Sequence, residues 1–246
     1  MGMFLNTISP HEKFKLISNS EYFIDKSKIL VDLLSCLQGE TQYLCVTRPR
    51  RFGKTVMANM IAAYFGKAES TKKIFDPLAV SKSETYSIHL NKHDIIYIDF
   101  SETPKNCQTY LQYISRIQDG LYRDLAETYP ELHLNGEKGV WDNLSEIFEK
   151  KNKQKFIFVI DEWDAPFHMP FIEKSDRVDY LLFLKSLLKN KAYVELAYMT
   201  GILPIVKYSD GSELNMFLEY DMATTIRFGE YFGFSESEVD TLYTRY

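Results

Sequence analysis

The sequence lacks the features that define several large protein classes. Its three cysteines, Cys36, Cys45 and Cys107, are an odd number and form no C-x-x-C pair, so neither a disulfide framework nor a zinc ribbon is expected. Its longest apolar runs, such as residues 156–160, have the length of a strand and not of a membrane span. The first residues show no basic segment followed by an apolar core, so we predict no signal peptide, no membrane partner and a cytoplasmic location.

A strong charge of one sign is also missing. The formal net charge is −5 over 246 residues, so the overall balance does not attract nucleic acid, although a local basic surface stays open. Apolar residues make up 45% of the chain, and its 17 tyrosines and 17 phenylalanines can fill a large core. This composition is typical of a globular protein and excludes a disordered one.

Short apolar, β-branched runs alternate with longer helical patterns. This alternation predicts an α/β fold with a mainly parallel central sheet. The predicted strands are 43–47, 94–100, 156–161 and 194–200, and the predicted helices are 26–38, 54–65, 108–128, 141–150 and 176–188. Residues 67–93 are polar and are expected to form only short helical pieces.

The end of the chain carries one more helix signal. Ser235 and Glu238 have the spacing of a capping box, and the helix that they open meets no stop signal before Tyr246. We therefore predict one domain over residues 1–230, with an N-terminal lead-in, and the start of a helical lid or C-terminal region over 231–246. A further domain is expected beyond it.

The clearest chemical signal is Gly53-Lys54-Thr55, which follows the strand 43–47 and opens the helix 54–65. A strand–loop–helix unit presents free backbone N–H groups at a helix N-terminus, where they can bind phosphate. A glycine lets the backbone approach the phosphates, the lysine ammonium reaches their oxygens, and the threonine hydroxyl can bind Mg²⁺.

This loop departs from the usual pattern G-x-x-x-x-G-K-[ST], because Arg48 stands where the first glycine is expected. Taken alone, the tripeptide could be a chance occurrence at a helix start. Arg48, Arg50 and Arg51 can stabilise phosphate charge or act in trans on a neighbouring chain. The alternative is a solvated basic turn in which two of the three face solvent or a partner.

A second signal is the apolar strand 156–161, which ends in Asp161 and Glu162. Ligands bind at the carboxyl ends of parallel strands. Asp161 is predicted to hold Mg²⁺, and Glu162 to orient and deprotonate the attacking water. Asp99 ends another strand but lacks a following glutamate, so it is a weaker candidate for the metal. The alternative for the strand 156–161 is a following solvated acidic turn, and Asp99 is expected to end the intervening strand near the site.

Four other residues are weighed individually. Thr200 ends the fourth strand and is either a sensor that contacts the γ-phosphate or the attacking water, or part of a strand-terminal turn. Asp25 is interpreted as a helix cap, with a role near the base as the alternative. His89 and His93 are interpreted as surface histidines, because no H-E-x-x-H pattern accompanies them.

Arg227 is a weaker candidate for a second, sensor-like residue, in the segment Thr224-Thr225-Ile226-Arg227. Trp163 follows Glu162 directly and is interpreted as a packing residue. His168, which follows the same acidic strand end, is interpreted as part of a structured loop.

Several segments together resemble the predicted AAA-ATPase-like family of bacteria and archaea. The likeness covers nearly the whole chain, and its most specific string is R-P-R-R-F-G-K-T, which is the family's own form of the phosphate loop. The segments are Tyr22-Phe23-Ile24-Asp25-Lys26-Ser27, residues 48–55, Ile160-Asp161-Glu162, Tyr198-Met199-Thr200-Gly201-Ile202 and residues 232–239. Members of this family often carry a C-terminal PD-(D/E)XK nuclease-like domain, which is not among these 246 residues.

The resemblance implies a three-layer P-loop NTPase of the ASCE, AAA-like type that binds ATP and Mg²⁺. The predicted catalytic residues are Lys54, Thr200 and Glu162, and the predicted metal ligands are Thr55 and Asp161. The predicted ATP-binding residues are Arg48, Pro49, Arg50, Arg51, Phe52, Gly53, Lys54, Thr55 and Val56.

The expected function is Mg-dependent ATP hydrolysis that drives a conformational change. Three alternatives stay open: a nucleotide-dependent switch, a DNA-associated regulatory module for the absent nuclease-like domain, and a kinase, for which no acceptor site is visible. Self-association and the absent C-terminal domain are the candidate protein partners.

Overall fold

The structure is a computed structural model and describes residues 2–37, 39–208, 213–222 and 227–244. Its centre is a sheet of parallel strands in the order β2-β3-β4-β1-β5. The strands are β1 (Tyr43–Thr47), β2 (Asp94–Asp99), β3 (Phe156–Asp161), β4 (Val194–Gly201) and β5 (Leu218–Tyr220). The all-parallel arrangement confirms the predicted α/β fold.

Helices cover both faces of this sheet. On one face lie α1 (Ser9–Ser18), α2 (Ile29–Leu34), α3 (Lys54–Phe65) and α4 (Lys72–Phe75), and on the other lie α6 (Tyr110–Thr128), α7 (Val140–Lys150) and α8 (Lys174–Leu188). The short helix α5 (Tyr86–His89) lies between α4 and β2, and α9 (Glu236–Tyr243) follows β5. Single 3₁₀ turns occupy Ala79–Lys82, Pro130–Leu132, Ala165–His168, Ile205–Lys207 and Gly229–Tyr231.

The three layers follow from the side-chain alternation of the strands. In β3, Phe156 and Phe158 point into the core beneath α6, α7 and α8, whereas Ile157 and Val159 point into the core beneath α1, α2 and α3. All four are fully buried, and burying each such side chain contributes about 1.5–3 kcal/mol. A strand that is apolar on both faces therefore lies at the centre of the sandwich, as its sequence predicts.

Most predicted elements are confirmed, with shifts at their ends. The strands 43–47 and 156–161 and the helix 54–65 have the predicted bounds, and β2 ends one residue before residue 100. The largest difference is in the predicted helix 26–38, of which only Ile29–Leu34 is helical, while residue 38 is outside the described residues.

Two elements are absent from the sequence-based prediction. Helix α1 packs against α3 and opens with Pro10 in its first turn and Glu12 nearby, which are both helix-start signals. Strand β5 pairs with β1 over three residues, too short a run to show an alternating pattern.

The β2 edge of the sheet is covered by the start of the chain. Leu5 forms an antiparallel bridge with Ile96 of β2. The carboxylate of Asp124, on α6, accepts hydrogen bonds from the backbone N–H groups of residues 3–5 at 2.6–2.9 Å. One buried carboxylate thus anchors the segment that closes this edge.

The described residues also bear on the expectations about cysteine and membranes. Cys36 and Cys45 are buried free thiols, and Cys107 is a partly exposed one. None of the helices in the described part of the chain is both long and apolar enough to cross a bilayer. The described cysteines agree with the absence of a disulfide framework.

His89 and His93 are not the isolated surface histidines that the sequence indicates. Both are partly buried, with stacked rings whose nitrogens His89 Nδ1 and His93 Nε2 lie 3.0 Å apart. Nδ1 of His93 lies 2.9 Å from a carboxylate oxygen of Glu195 at the start of β4. The pair ties α5 to the sheet, which spacing along the sequence could not show because Glu195 lies far away in the chain.

A buried histidine on α1 predicts acid sensitivity. His11 is 2% exposed, and burial lowers its pKa below the ordinary value of 6.5, while the nearby backbone of Gly66 and Thr7 only partly opposes this shift. The folded protein therefore binds this proton less readily than the unfolded chain, and stability falls as the pH drops through that value. When the pH is lowered from about 7.5 to about 5.5, we expect the melting temperature of His11→Leu to fall by less than that of the wild type.

The measurement is a thermal melt at both pH values, where roughly 2–4 °C corresponds to 1 kcal/mol in a chain of this size. Phe14→Leu, a buried change on the same helix without a titratable group, is the control and should keep the wild-type pH dependence. An equal loss of melting temperature in His11→Leu and the wild type would contradict the prediction.

Candidate active site

The carboxyl ends of the inner strands bring the predicted site residues to one edge of the sheet. β1 and β4 are paired in register from Tyr43 opposite Ala197 to Thr47 opposite Gly201, and β3 lies on the other side of β4. The phosphate loop after β1, the acids after β3 and the end of β4 therefore meet. Asp99 is the register partner of Asp161, so the weaker acid candidate also lies at this edge.

The loop between β1 and α3 has the backbone form of an anion site. Gly53, the N-cap of α3, has a φ of 82°, and Arg51 has a φ of 71°. Two of the three residues 51–53 therefore adopt the left-handed conformation. Among the described residues, no side chain caps the N-terminus of α3. A Cβ atom at Gly53 would meet no described atom within 4 Å, so open space lies beside the loop. The N–H groups of this helix end are available to phosphate oxygens.

Lys54 lies beneath this loop and is 4% exposed. Its Nζ donates a hydrogen bond to the carbonyl of Pro49 at 3.2 Å and lies 3.9 Å from Oε1 of Glu162. The ammonium is therefore held between the phosphate loop and the acidic strand end, where it can reach a bound phosphate.

Asp161 is fully buried and has one carboxylate oxygen to spare. Its Oδ1 accepts a hydrogen bond from the Thr200 hydroxyl at 2.5 Å, while Oδ2 has no hydrogen-bond partner among the described residues. Burial raises the pKa of Asp161, and the hydroxyls of Thr200 and Thr55 oppose this shift. A cation satisfies such an oxygen, and a carboxylate beside a threonine hydroxyl is a donor set that suits Mg²⁺. The residues present fit the predicted metal.

Glu162 has a strained backbone, with a φ of 52°. This conformation is unfavourable for a residue with a side chain, and such strain concentrates at functional sites. The backbone N–H of Glu162 donates to the Thr200 hydroxyl at 3.4 Å. Burial raises the pKa of its carboxyl group, and the nearby Lys54 ammonium acts in the opposite direction. A base whose pKa moves toward neutrality accepts a proton more readily at physiological pH.

Thr200 does not have the free hydroxyl that a direct contact with phosphate requires. The side chain is fully buried, donates to Asp161 and accepts from the N–H of Glu162. These two hydrogen bonds make Thr200 a positioning residue for the Asp161 carboxylate and for the backbone of Glu162, while its sensor role and its role as a catalytic residue stay predictions.

Asp164 is a site residue that the sequence analysis misses. It is 1% exposed, and its Oδ2 accepts hydrogen bonds from the N–H groups of Ile202 and Leu203 at 3.0 Å each. It thereby holds the loop after β4 against the loop after β3. The sequence signal for Asp164 was a third acid, two residues after Glu162, in a turn whose neighbouring backbone N–H groups need an acceptor. Trp163, between the two acids, is fully buried, which agrees with its interpretation as a packing residue.

Two of the three arginines of the loop, Arg50 and Arg51, are exposed, as expected for a solvated basic turn. Arg48 is the exception and is 3% exposed. Its Nη1 donates to the carbonyls of Thr47 and Tyr220 at 2.8 and 2.6 Å. The Arg48 side chain, in place of the usual first glycine, thus ties β1 to β5. If Arg48 binds phosphate as predicted, it does so through its backbone.

A cavity of about 250 Å³ opens beside the phosphate loop. Its walls are largely apolar and come from the loop, from α3, from the N-terminal segment and from a C-terminal segment. The lining residues include Phe14, Tyr22, Phe23, Lys26, Phe52, Gly53, Val56, Met57, Tyr231 and Phe234. The cavity therefore adjoins the open N-terminus of α3.

Comparison with known families gives one match over most of this chain. The family described as "Predicted AAA-ATPase" matches residues 10–209, which contain the phosphate loop, both acids and Thr200. The chain belongs to this family. Among curated proteins, no match was found. The family match and the parallel sheet confirm the resemblance and the fold class of this AAA-ATPase-like chain.

Two residues outside the central site differ from their sequence interpretation. Arg227 lies against the end of α2, where its Nη2 donates to the Ser35 hydroxyl at 3.1 Å, and its sensor-like role stays a prediction; residues 224–226 lie outside the described part. Asp25 does not cap a helix directly. It accepts from the N–H groups of Ser27 and Ala79, and so shapes the turn before α2.

The turn at the end of β4 leaves no room for a side chain. A Cβ atom at Gly201 would lie 2.5 Å from the Trp163 indole ring and 2.8 Å from Oδ1 of Asp164. We expect Gly201→Ala to lower the free energy of unfolding by about 1–3 kcal/mol, because the buried indole must move. Urea unfolding measures this change.

Gly229→Ala is the matched control, since a Cβ atom there meets no described atom within 4 Å. It should change the free energy of unfolding by less than about 0.5 kcal/mol. Equal effects of the two substitutions would show that the packing at Gly201 is not tight.

Proposed function

We propose that this chain binds Mg-ATP and hydrolyses it, and that hydrolysis drives a conformational change. The proposal depends chiefly on one observation, the convergence of Lys54, Asp161 and Glu162 on the open N-terminus of α3. Each contributes a group that phosphoryl transfer to water requires: a cation, a metal ligand and a base. The match to a family described as a predicted ATPase supports the same activity.

Phosphate binding is assigned to residues 48–56. The N–H groups at the start of α3 bind phosphate oxygens, and Lys54 exchanges its bond to the Pro49 carbonyl for one to the β- and γ-phosphates. Thr55 and Asp161 hold Mg²⁺, which neutralises phosphate charge when bound. The unpartnered Oδ2 of Asp161 and the exposed Thr55 side chain support this assignment.

Hydrolysis is assigned to Glu162. Its carboxylate accepts a proton from a water molecule as the water oxygen bonds to the γ-phosphorus. The bond between that phosphorus and the bridging oxygen breaks, and ADP and phosphate leave. Thr200 keeps Asp161 and the backbone of Glu162 in place through its two hydrogen bonds. Lys54, 3.9 Å from the base, stabilises charge on the transferred group.

The nucleoside is assigned to the cavity beside the loop. The cavity is mostly apolar and begins at Phe52 and Gly53, where a triphosphate on the loop would end in its sugar and base. Tyr22 and Phe23 lie in the same N-terminal segment as Asp25, for which the sequence leaves open a role near the base.

The first test is the affinity for ATP in the presence of Mg²⁺, measured by calorimetry on the wild type and Lys54→Ala. Loss of a charged hydrogen bond is worth about 1.5–3 kcal/mol, so affinity should fall roughly 10- to 150-fold. Lys72→Ala, an exposed lysine on α4, is the control and should bind like the wild type. Undiminished ATP affinity in Lys54→Ala would remove the basis of the proposal.

The second test separates an enzyme from a nucleotide-dependent switch that binds ATP but barely turns it over. Removing a general base slows turnover by about 100- to 10,000-fold, so Glu162→Gln should bind Mg-ATP and release far less phosphate than the wild type. Glu102→Gln, an exposed acid after β2, is the control and should keep the wild-type rate. Equally slow hydrolysis by the wild type and Glu162→Gln would favour the switch.

A further inference from the structure

The outer wall of the cavity is formed by a segment that follows residue 209, where the family match ends, and that includes part of the resembling segment 232–239. Tyr231, Gly233 and Phe234 line it, whereas the family match ends at residue 209. Phe234 is 60% exposed, an unusual position for a large aromatic side chain beside an apolar cavity. The ring therefore offers a free face to a ligand.

This wall is attached to the phosphate loop itself. The backbone N–H of Gly233 donates to the carbonyl of Phe52 at 3.2 Å. Gly233 has a φ of 73°, and a Cβ atom there would lie 3.2 Å from the Phe52 ring. The Arg48 guanidinium lies 5.1 Å from the centre of the Phe232 ring. Arg48 and Phe52, the first and last residues of the R-P-R-R-F string, thus both contact the C-terminal segment.

A salt bridge closes the wall onto the N-terminal segment. Nζ of Lys26, a cavity residue, donates to Oε1 of Glu238 at 2.5 Å and to the carbonyl of Glu230 at 2.7 Å. Glu238 also accepts from the N–H of Ser235 in the capping box of α9. Burial alone would raise the pKa of Glu238, but these hydrogen bonds and the Lys26 charge hold it below its ordinary value.

Helix α9 has little else to hold it. Among its described residues none is fully buried: of its three large apolar side chains, Val239 and Tyr243 are 38% and 81% exposed and Leu242 is half-buried. The Lys26–Glu238 salt bridge and the adjoining residues 231–234 therefore contribute to its position on the domain. A ligand that fills the cavity would contact Lys26 and the segment 231–234, and would thereby strengthen the docking of α9.

We propose that residues 231–234 bind the base of the nucleotide, and that the Lys26–Glu238 salt bridge closes this wall over it. Base occupancy then fixes α9, while a ligand that only occupies the phosphate loop does not. This inference rests on the proposed function and adds to it a base-contacting segment and its consequence for the C-terminal helix.

The experiment compares two ligands, Mg-ATP and Mg-tripolyphosphate, which share the phosphates but not the base. Their affinities are measured by calorimetry on the wild type, Phe234→Ser and Glu238→Gln. Base–aromatic contacts predict a loss of roughly 5- to 150-fold in ATP affinity for Phe234→Ser, with unchanged tripolyphosphate affinity. Glu238→Gln should weaken ATP in the same selective way, because it opens the wall.

Val239→Ser and Glu236→Gln are the matched controls, since they alter an apolar and an acidic residue of α9 that do not line the cavity. Both should bind ATP like the wild type. Hydrogen exchange gives an independent readout: the amides of residues 236–243 should exchange more slowly with Mg-ATP bound than with Mg-tripolyphosphate bound.

Each outcome separates this inference from the proposed function. Unchanged ATP affinity in Phe234→Ser, or equal losses for both ligands, would overturn the assignment of the base to this wall while ATP binding by the wild type stands. Failure of the wild type to bind either ligand would overturn the proposed function and this inference with it.

Discussion

The parallel direction of every strand in the sheet is the constraint on which the rest of the site depends. Because all strands end at the same edge, the loop after β1, the acids after β3 and the turn after β4 are neighbours without any further device. β4 lies between β1 and β3, so Thr200 stands where it can bond to Asp161 and to Glu162. A single hydroxyl therefore contacts both the Asp161 carboxylate and the backbone of Glu162.

The sequence predicts this fold well because its signals are local. Apolar runs such as 156–161 identify the buried strands, and the Gly53-Lys54-Thr55 string identifies the loop. What it does not predict depends on contacts between distant segments. Glu195 beside His93 is one case, and the three-residue strand β5 is another, since it exists only through its pairing with β1. The role of Asp164 required knowledge of which backbone groups lie opposite it.

Arg48 illustrates why a motif that departs from its usual form can still build the same site. In the usual loop a glycine occupies this position, whereas here a buried guanidinium donates to the carbonyls of Thr47 and Tyr220. Burial lowers the pKa of Arg48, yet its hydrogen bonds and the Phe232 ring compensate for lost water. The left-handed residues that shape the loop are then Arg51 and Gly53, nearer to α3. Arg48 in place of glycine therefore links the junction between β1 and the loop to the neighbouring strand β5.

The covered edge of the sheet has a consequence for how copies of this chain can meet. Open strand edges recruit strands from other molecules, and that is a common route to aggregation. Here the β2 edge carries the Leu5 bridge, held by Asp124, and the opposite edge is the short β5. Neither edge offers a long run of free backbone groups within the described residues. Contacts between copies of this protein at these edges would therefore have to use side-chain surfaces and not extended backbone pairing.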